Sequence, residues 1–266
     1  DKLKKGRGVI YLHHVLLQHI VNTAQMPIEI LELLFEHETC GYLTPTVSRG
    51  FPLREGDILS SGSRSVITCL GDSCRWPRSV DGFVYVPYII SPIYGESLLL
   101  NNTFISFGML DISSATCVKF VPRTHEANFL NIHCWSYLGM IGGSQTVSLQ
   151  SPGCMWSGVA AHELMHALGF VHEQSRSDRD HHVSILWENI IESKHNFKKY
   201  ETNNLNTAYD YSSVMHYGRY AFSEDGGPTI IPKPDPYTPI GQRDGPSLTD
   251  IHKINILYNC GRYSSY

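Results

Sequence analysis

The stretch His162-Glu163-Leu164-Met165-His166-Ala167-Leu168-Gly169-Phe170-Val171-His172 decides how this chain is read. Its pattern is HExxHxxGxxH. On a helix, His162 and His166 stand one turn apart, about 6 Å along the axis and on one face. Two imidazoles placed this way can grip one Zn²⁺, and Glu163, beside the first of them, can reach a water at the metal. Gly169 can take the positive φ that ends the helix and turns the chain back. That return brings in His172 as a third nitrogen ligand. Three histidines leave a zinc with an open position, which hydrolytic sites need and structural sites avoid.

HExxH alone would also fit an ordinary amphipathic helix with satisfied histidines. The extension through Gly169 to His172 matches the metzincin template, which also requires a methionine turn downstream. Ser212-Ser213-Val214-Met215-His216-Tyr217 supplies it, with Met215 as an apolar floor to the site. The segments HELMHALGFVHEQSRSDRD (162–180) and SVMHY (213–217) resemble the astacin family of zinc endopeptidases. So do Trp187–Ile190, Tyr209–Ser213 and Ile240–Arg243, and the similarity runs from about Cys69 to Cys260. Its closest character is that of the fish hatching-enzyme-like, six-cysteine branch. The resemblance implies one zinc per chain, with His162, His166 and His172 as ligands and Glu163 as general base. It implies that Tyr217 is an extra metal ligand at rest and a donor to the oxyanion during catalysis.

The chain has 266 residues, enough for one large domain or two smaller ones, and a formal charge of −4. Lys2–Arg7 is the one dense basic run and reads as a solvated tail; no basic patch interleaved with aromatics points to nucleic acid. Gly8–Val21 is broken by His13, His14, Gln18 and His19, so it is too short and too polar to span a bilayer and makes a poor signal-peptide core.

Seven cysteines are present, none in a CxxC pair. The family pattern implies Cys117–Cys260 and Cys134–Cys154, leaving Cys69 and Cys74 to close a small loop as in the six-cysteine branch. Cys40 is left over; its setting lacks the rest of the motif that a cysteine switch would carry, and it reads as an unpaired propeptide thiol. Disulfides imply an oxidising compartment, hence secretion, with storage in secretory granules an option for the hatching-type branch. Asn101-Asn102-Thr103 is an N-glycosylation sequon, consistent with that location.

The fold expected is α+β, a two-lobed metzincin-like catalytic domain. Phe83–Ile90 reads as a strand, with Pro87 arguing for an edge position. Ser97–Leu110 reads as a helix, Cys117–Val121 and Thr146–Leu149 as short strands, and Trp156–Leu168 as the active-site helix. Ser247–Tyr258 reads as a closing helix capped by Ser247. The upper lobe covers about 65–169 and the lower lobe about 170–266, with substrate in the cleft between them. Residues 1–64 differ in character: Ile28–His37 is acidic, apolar and helix-like, and Gly41–Gly62 is rich in turn formers.

Within that region, Arg54-Glu55-Gly56-Asp57-Ile58 resembles the EGD motif of astacin propeptides, although Arg54 stands where an apolar residue often sits in the family. The resemblance makes Asp57 the latency ligand, bound to zinc until the propeptide is cut away. The cut expected lies between Arg64 and Ser65, a basic site for a trypsin-like activating protease. In the family the new amino terminus reaches a buried acid beside the third histidine, here Glu173.

The function expected is therefore a secreted zinc endopeptidase made as a zymogen, monomeric, acting on proteins, with egg-envelope proteins as the substrate the branch implies. The same chemistry would also serve processing of matrix or growth-factor proteins. An inactive binding protein on this fold is opposed by the intact Glu163, three histidines and Tyr217.

Overall fold

The computed structural model describes residues 53–55, 57–59, 74–90, 98–133, 140–148, 156–190 and 192–261. All belong to one compact unit, Gly41–Tyr266. Arg64, Ser65, Cys40, Cys69, Cys134, Cys154, the helix-like Ile28–His37 and the proposed boundary at 64/65 lie outside the described residues.

A twisted four-stranded sheet forms one layer. Its strands are β3 (Val84–Ile90), β4 (Val118–Pro122), β5 (Phe129–His133) and β6 (Ser144–Ser148), in the order β4-β3-β5-β6 with every pairing parallel. Val84, Val86, Val118, Leu130, Ile132 and Val147 are fully buried from this sheet. The expectation of an edge position for Phe83–Ile90 is corrected here, because β3 has a neighbour on each side. Pro87 is tolerated because pairing with β5 begins only at Tyr88, so at Pro87 the strand is flanked by β4 alone. The sequence reading assigns no strand to Phe129–His133, where β5 forms by pairing with β3 and β6.

Two helices pack together beside the sheet, α1 (Leu98–Ser113) and α2 (Ser157–Ala167). Asn101 lies on α1. Helix α2 is buried from Gly158 to Ala167, so it is the centre of the molecule rather than a surface stripe. Its C-terminal carbonyls need partners once buried. Trp76 Nε1 donates to Ala167 O at 3.0 Å, and the Tyr258 hydroxyl donates to Leu168 O at 3.0 Å. Gly169 then takes φ +102°, and the chain reverses as its spacing requires.

The second half is mostly irregular. A short antiparallel pair, β7 (Val183–Ile185) and β8 (Ile230–Pro232), encloses a core of Val183, Ile190, Phe197, Tyr209, Tyr217, Ala221 and Ile230. Helix α3 (Leu248–Leu257) closes the chain, with Ser247 and Asp250 forming a reciprocal capping box. Cys117 and Cys260 are joined in a disulfide that ties the start of β4 to the end of α3. Cys74 is also disulfide-bonded, its partner falling outside the described residues. Among the described residues no helix is long and apolar enough to cross a membrane.

At the start of α2 the backbone of 243–245 presses directly on Gly158. A Cβ there would stand 1.9 Å from Arg243 O and 2.9 Å from Gly245 N. Gly158→Ala should therefore cost about 3 kcal/mol of stability, because backbone rather than a flexible side chain must yield; urea unfolding of the variant measures this.

Candidate metal and catalytic site

The residues that could hold a metal come from three places. His162 and His166 project from α2, and His172 follows the turn at Gly169. A narrow hairpin, β1 (Leu53–Arg54) against β2 (Ile58–Leu59), carries Glu55 and Asp57 at its tip. The three imidazoles are almost wholly buried, and the Asp57 side chain is 28% exposed.

Four ligating atoms converge on one point. His162 Nε2 is 3.1 Å from His166 Nε2 and 3.3 Å from His172 Nε2. Asp57 Oδ2 is 3.2, 3.7 and 3.1 Å from the Nε2 atoms of His162, His166 and His172. Donors about 2.0–2.1 Å from a tetrahedral zinc stand about 3.3 Å from one another, so these spacings fit that ion. The outer nitrogens agree. Nδ1 of His162 faces Val214 O at 2.8 Å, Nδ1 of His166 faces Phe170 O at 2.7 Å, and Nδ1 of His172 faces Glu55 Oε2. With a proton on each Nδ1, all three Nε2 lone pairs point inward, the tautomer that a cation requires.

Electrostatics follow from this crowding. Burial alone would raise Asp57, but the neighbouring His172 and His166 hold it well below its ordinary range. Burial disfavours a charged His162 ring and pushes it down to about 3. For His172 burial acts the same way, yet Asp57 and Glu55 overcome it and lift the ring to about 9, so a cation arriving at Nε2 must displace a proton there. Glu163, next to the first ligand and 8% exposed, is raised well above the usual carboxylate range by burial and then by the Asp57 charge.

The methionine turn lies against the ligands. Val214 contributes the carbonyl that holds His162, and Met215, 2% exposed, accepts a hydrogen bond from Glu173 N at 3.0 Å. Asp250 of α3 fixes this turn from behind: Ser213 Oγ donates to Oδ1 at 2.6 Å and Val214 N donates to Oδ2 at 2.9 Å. Arg243 adds Nη1 contacts to Val214 O and His216 O at 3.1 and 3.0 Å. The Tyr217 ring packs tilted against His172, ring centres 4.5 Å apart, and its hydroxyl donates to the backbone carbonyl of Glu55. Its hydroxyl is thus engaged by the hairpin.

Sequence reasoning assigned no role to Glu55, Asp250, Arg243 or Lys253. Asp250 had a visible signal, the S-x-x-D spacing from Ser247. The expectation for Glu173 also needs refining. The buried Glu173 carboxylate is already partnered, with Arg176 Nη1 at 3.0 Å and Asp210 N at 2.9 Å on Oε1, and Lys253 Nζ at 2.5 Å on Oε2.

With this geometry in hand, comparison with known proteins is decisive. The family profile described as Astacin, a peptidase family, matches residues 75–259. The chain belongs to the astacin family. It is 49% identical over 216 residues to high choriolytic enzyme 1 of Oryzias latipes, covering 78% of each chain. It is also 49% identical over 220 residues to an astacin-like metalloendopeptidase of Gallus gallus, covering 80% of this chain and 53% of that protein. The solved structure of high choriolytic enzyme 1, described as a hatching enzyme zinc-protease from the medaka fish, superposes with a TM-score of 0.70. That match covers 74% of this chain and all of the other. This astacin is accordingly a zinc metalloendopeptidase of α+β fold whose substrates are proteins.

One buried ring beside the site gives a test of this packing. His216 Nδ1 donates to Tyr217 O at 2.7 Å, so its Nε2 accepts from the Tyr209 hydroxyl at 2.8 Å. Burial pushes His216 down to about 4. The unfolded chain takes up this proton near pH 6.5 while the folded chain refuses it until about pH 4, so stability falls as the pH drops between them. The expected loss from pH 7 to pH 5 is about 2 kcal/mol. His216→Gln should remove that increment from the difference between urea unfolding curves recorded at the two pH values.

Proposed function

We propose that this astacin is a secreted zymogen that cleaves egg-envelope protein after its amino-terminal segment is removed. The observation that carries the latency is Asp57 Oδ2, which occupies the fourth corner beside three histidine nitrogens. A carboxylate there leaves no place for a substrate carbonyl. The likeness to proteins named choriolytic and hatching enzymes supports the substrate class. The disulfides at Cys117–Cys260 and Cys74 support secretion. The segment 1–64 acts as propeptide and 65–266 as a monomeric catalytic domain, with a trypsin-like protease cutting between Arg64 and Ser65.

His162, His166 and His172 would hold the zinc, which would supply a Lewis acid for the scissile carbonyl and make water more acidic. Glu163 takes the proton from the attacking water and delivers it to the leaving amine. Tyr217, once released from the Glu55 carbonyl, turns its hydroxyl toward the oxygen that gains charge. Asp250, through the peptide of Val214, keeps the His162 ring aimed during these steps.

Two variants separate the roles. Glu163→Ala in the cut chain should lower peptide hydrolysis by at least about a thousandfold and still bind one zinc by metal analysis; residual activity near wild type would remove Glu163 from the mechanism. Asp57→Ala should give chelator-sensitive protease activity in the uncut chain. If the uncut wild type is already fully active, Asp57 does not confer latency.

A further inference from the structure

Each zinc ligand needs its ring held from outside. His162 and His166 find backbone carbonyls at Val214 and Phe170, within the stretch matched to the peptidase family. His172 differs: its Nδ1 faces Glu55, and its own N–H also points to Glu55 Oε2 at 3.4 Å. On the zymogen reading above, on which this inference rests, Glu55 leaves with the propeptide. His172 is then the ligand with the weakest remaining hold on its ring, and it depends on the backbone that carries it.

That backbone is fixed through the next residue. Glu173 N donates to Met215 O, and its carboxylate is drawn to the floor of the domain by Lys253. Lys253 sits on α3, one turn after Asp250, and its side chain is 8% exposed against 4% for Glu173. Arg176 closes the other oxygen and is itself balanced by a two-point contact with Asp178 at 2.9 and 2.8 Å. Glu173 thus has its counter-ions from within the catalytic domain. A buried carboxylate without such partners would be strongly destabilising, and here the demand is met before any cut is made.

We propose that Lys253 is the resident counter-ion of Glu173 and a positioning residue for His172, so that the mature enzyme retains its zinc without an ion pair from the new amino terminus. Asp250 and Lys253 then act as a pair on one helix face, the first steadying His162 through the methionine turn and the second steadying His172 through Glu173.

The test follows zinc release to a chromophoric chelator from activated enzyme. Lys253→Met should release zinc about tenfold faster than wild type, the scale expected when an outer partner of a ligand is lost. Lys253→Arg should restore the wild-type rate. Insertion of Gly-Ser between Arg64 and Ser65 lengthens the amino terminus after cutting; in an otherwise wild-type chain it should leave zinc release unchanged. Lys253→Met indistinguishable from wild type would overturn the proposal, as would a lengthened wild type that loses zinc about tenfold faster. If Lys253→Met does not fold, the lengthened wild type alone decides between the two counter-ions. Activated wild type that holds no zinc would instead sink the reading of the metal site itself.

Discussion

Three imidazoles and a carboxylate meeting within 4.8 Å of one another is the constraint on which the structure rests. Lone pairs brought this close repel unless a cation lies between them, and each ring can turn away unless its far nitrogen is tied. The protein meets the second need with Nδ1 partners at Val214, Phe170 and Glu55. Two of these are backbone carbonyls, which cannot change rotamer. Ring orientation is thereby transferred to the main chain, and the main chain must itself be rigid.

Much of the fold serves that rigidity. Helix α2 is buried from all sides, with Gly158 against the backbone of 243–245 and Gly108 against Ala160. The side chains of Trp76 and Tyr258, far apart in sequence, satisfy carbonyls at its C-terminal end. The methionine turn has no regular secondary structure of its own, and side chains from elsewhere hold it: Asp250, Arg243 and, through Tyr217 N at 3.0 Å, Gln174. The disulfide from Cys117 to Cys260 secures the end of the helix that supplies Asp250. The amino-terminal hairpin then uses this prepared site in two ways, with Asp57 at the metal position and Glu55 against both His172 and Tyr217.

The sequence was most legible where an interaction is local. The i, i+4 spacing of His162 and His166 and the glycine before His172 gave the ligands, because helix pitch and positive φ are properties of a few consecutive residues. The active-site helix and α3 were read to within a residue or two for the same reason. Asp57 was legible only by family resemblance, since a Glu-Gly-Asp run is otherwise a common surface turn. Reading was poorest for strands. Pro87 suggested an edge, whereas β3 is internal, and β5 was not assigned, since a short strand is defined by its neighbours more than by its own pattern.

By itself the sequence determined the family, the metal and the three histidines that come together. These follow from residue types at short, fixed separations. Only the tertiary structure decided what steadies them: Val214 for His162, Asp250 for the methionine turn, and Lys253 for Glu173, partners separated by 52, 36 and 80 positions along the chain. No local periodicity encodes such contacts. Asp250 and Lys253 reach their partners when α3 packs beneath the site, and burial there makes an unpaired carboxylate or peptide group too costly to leave without a partner.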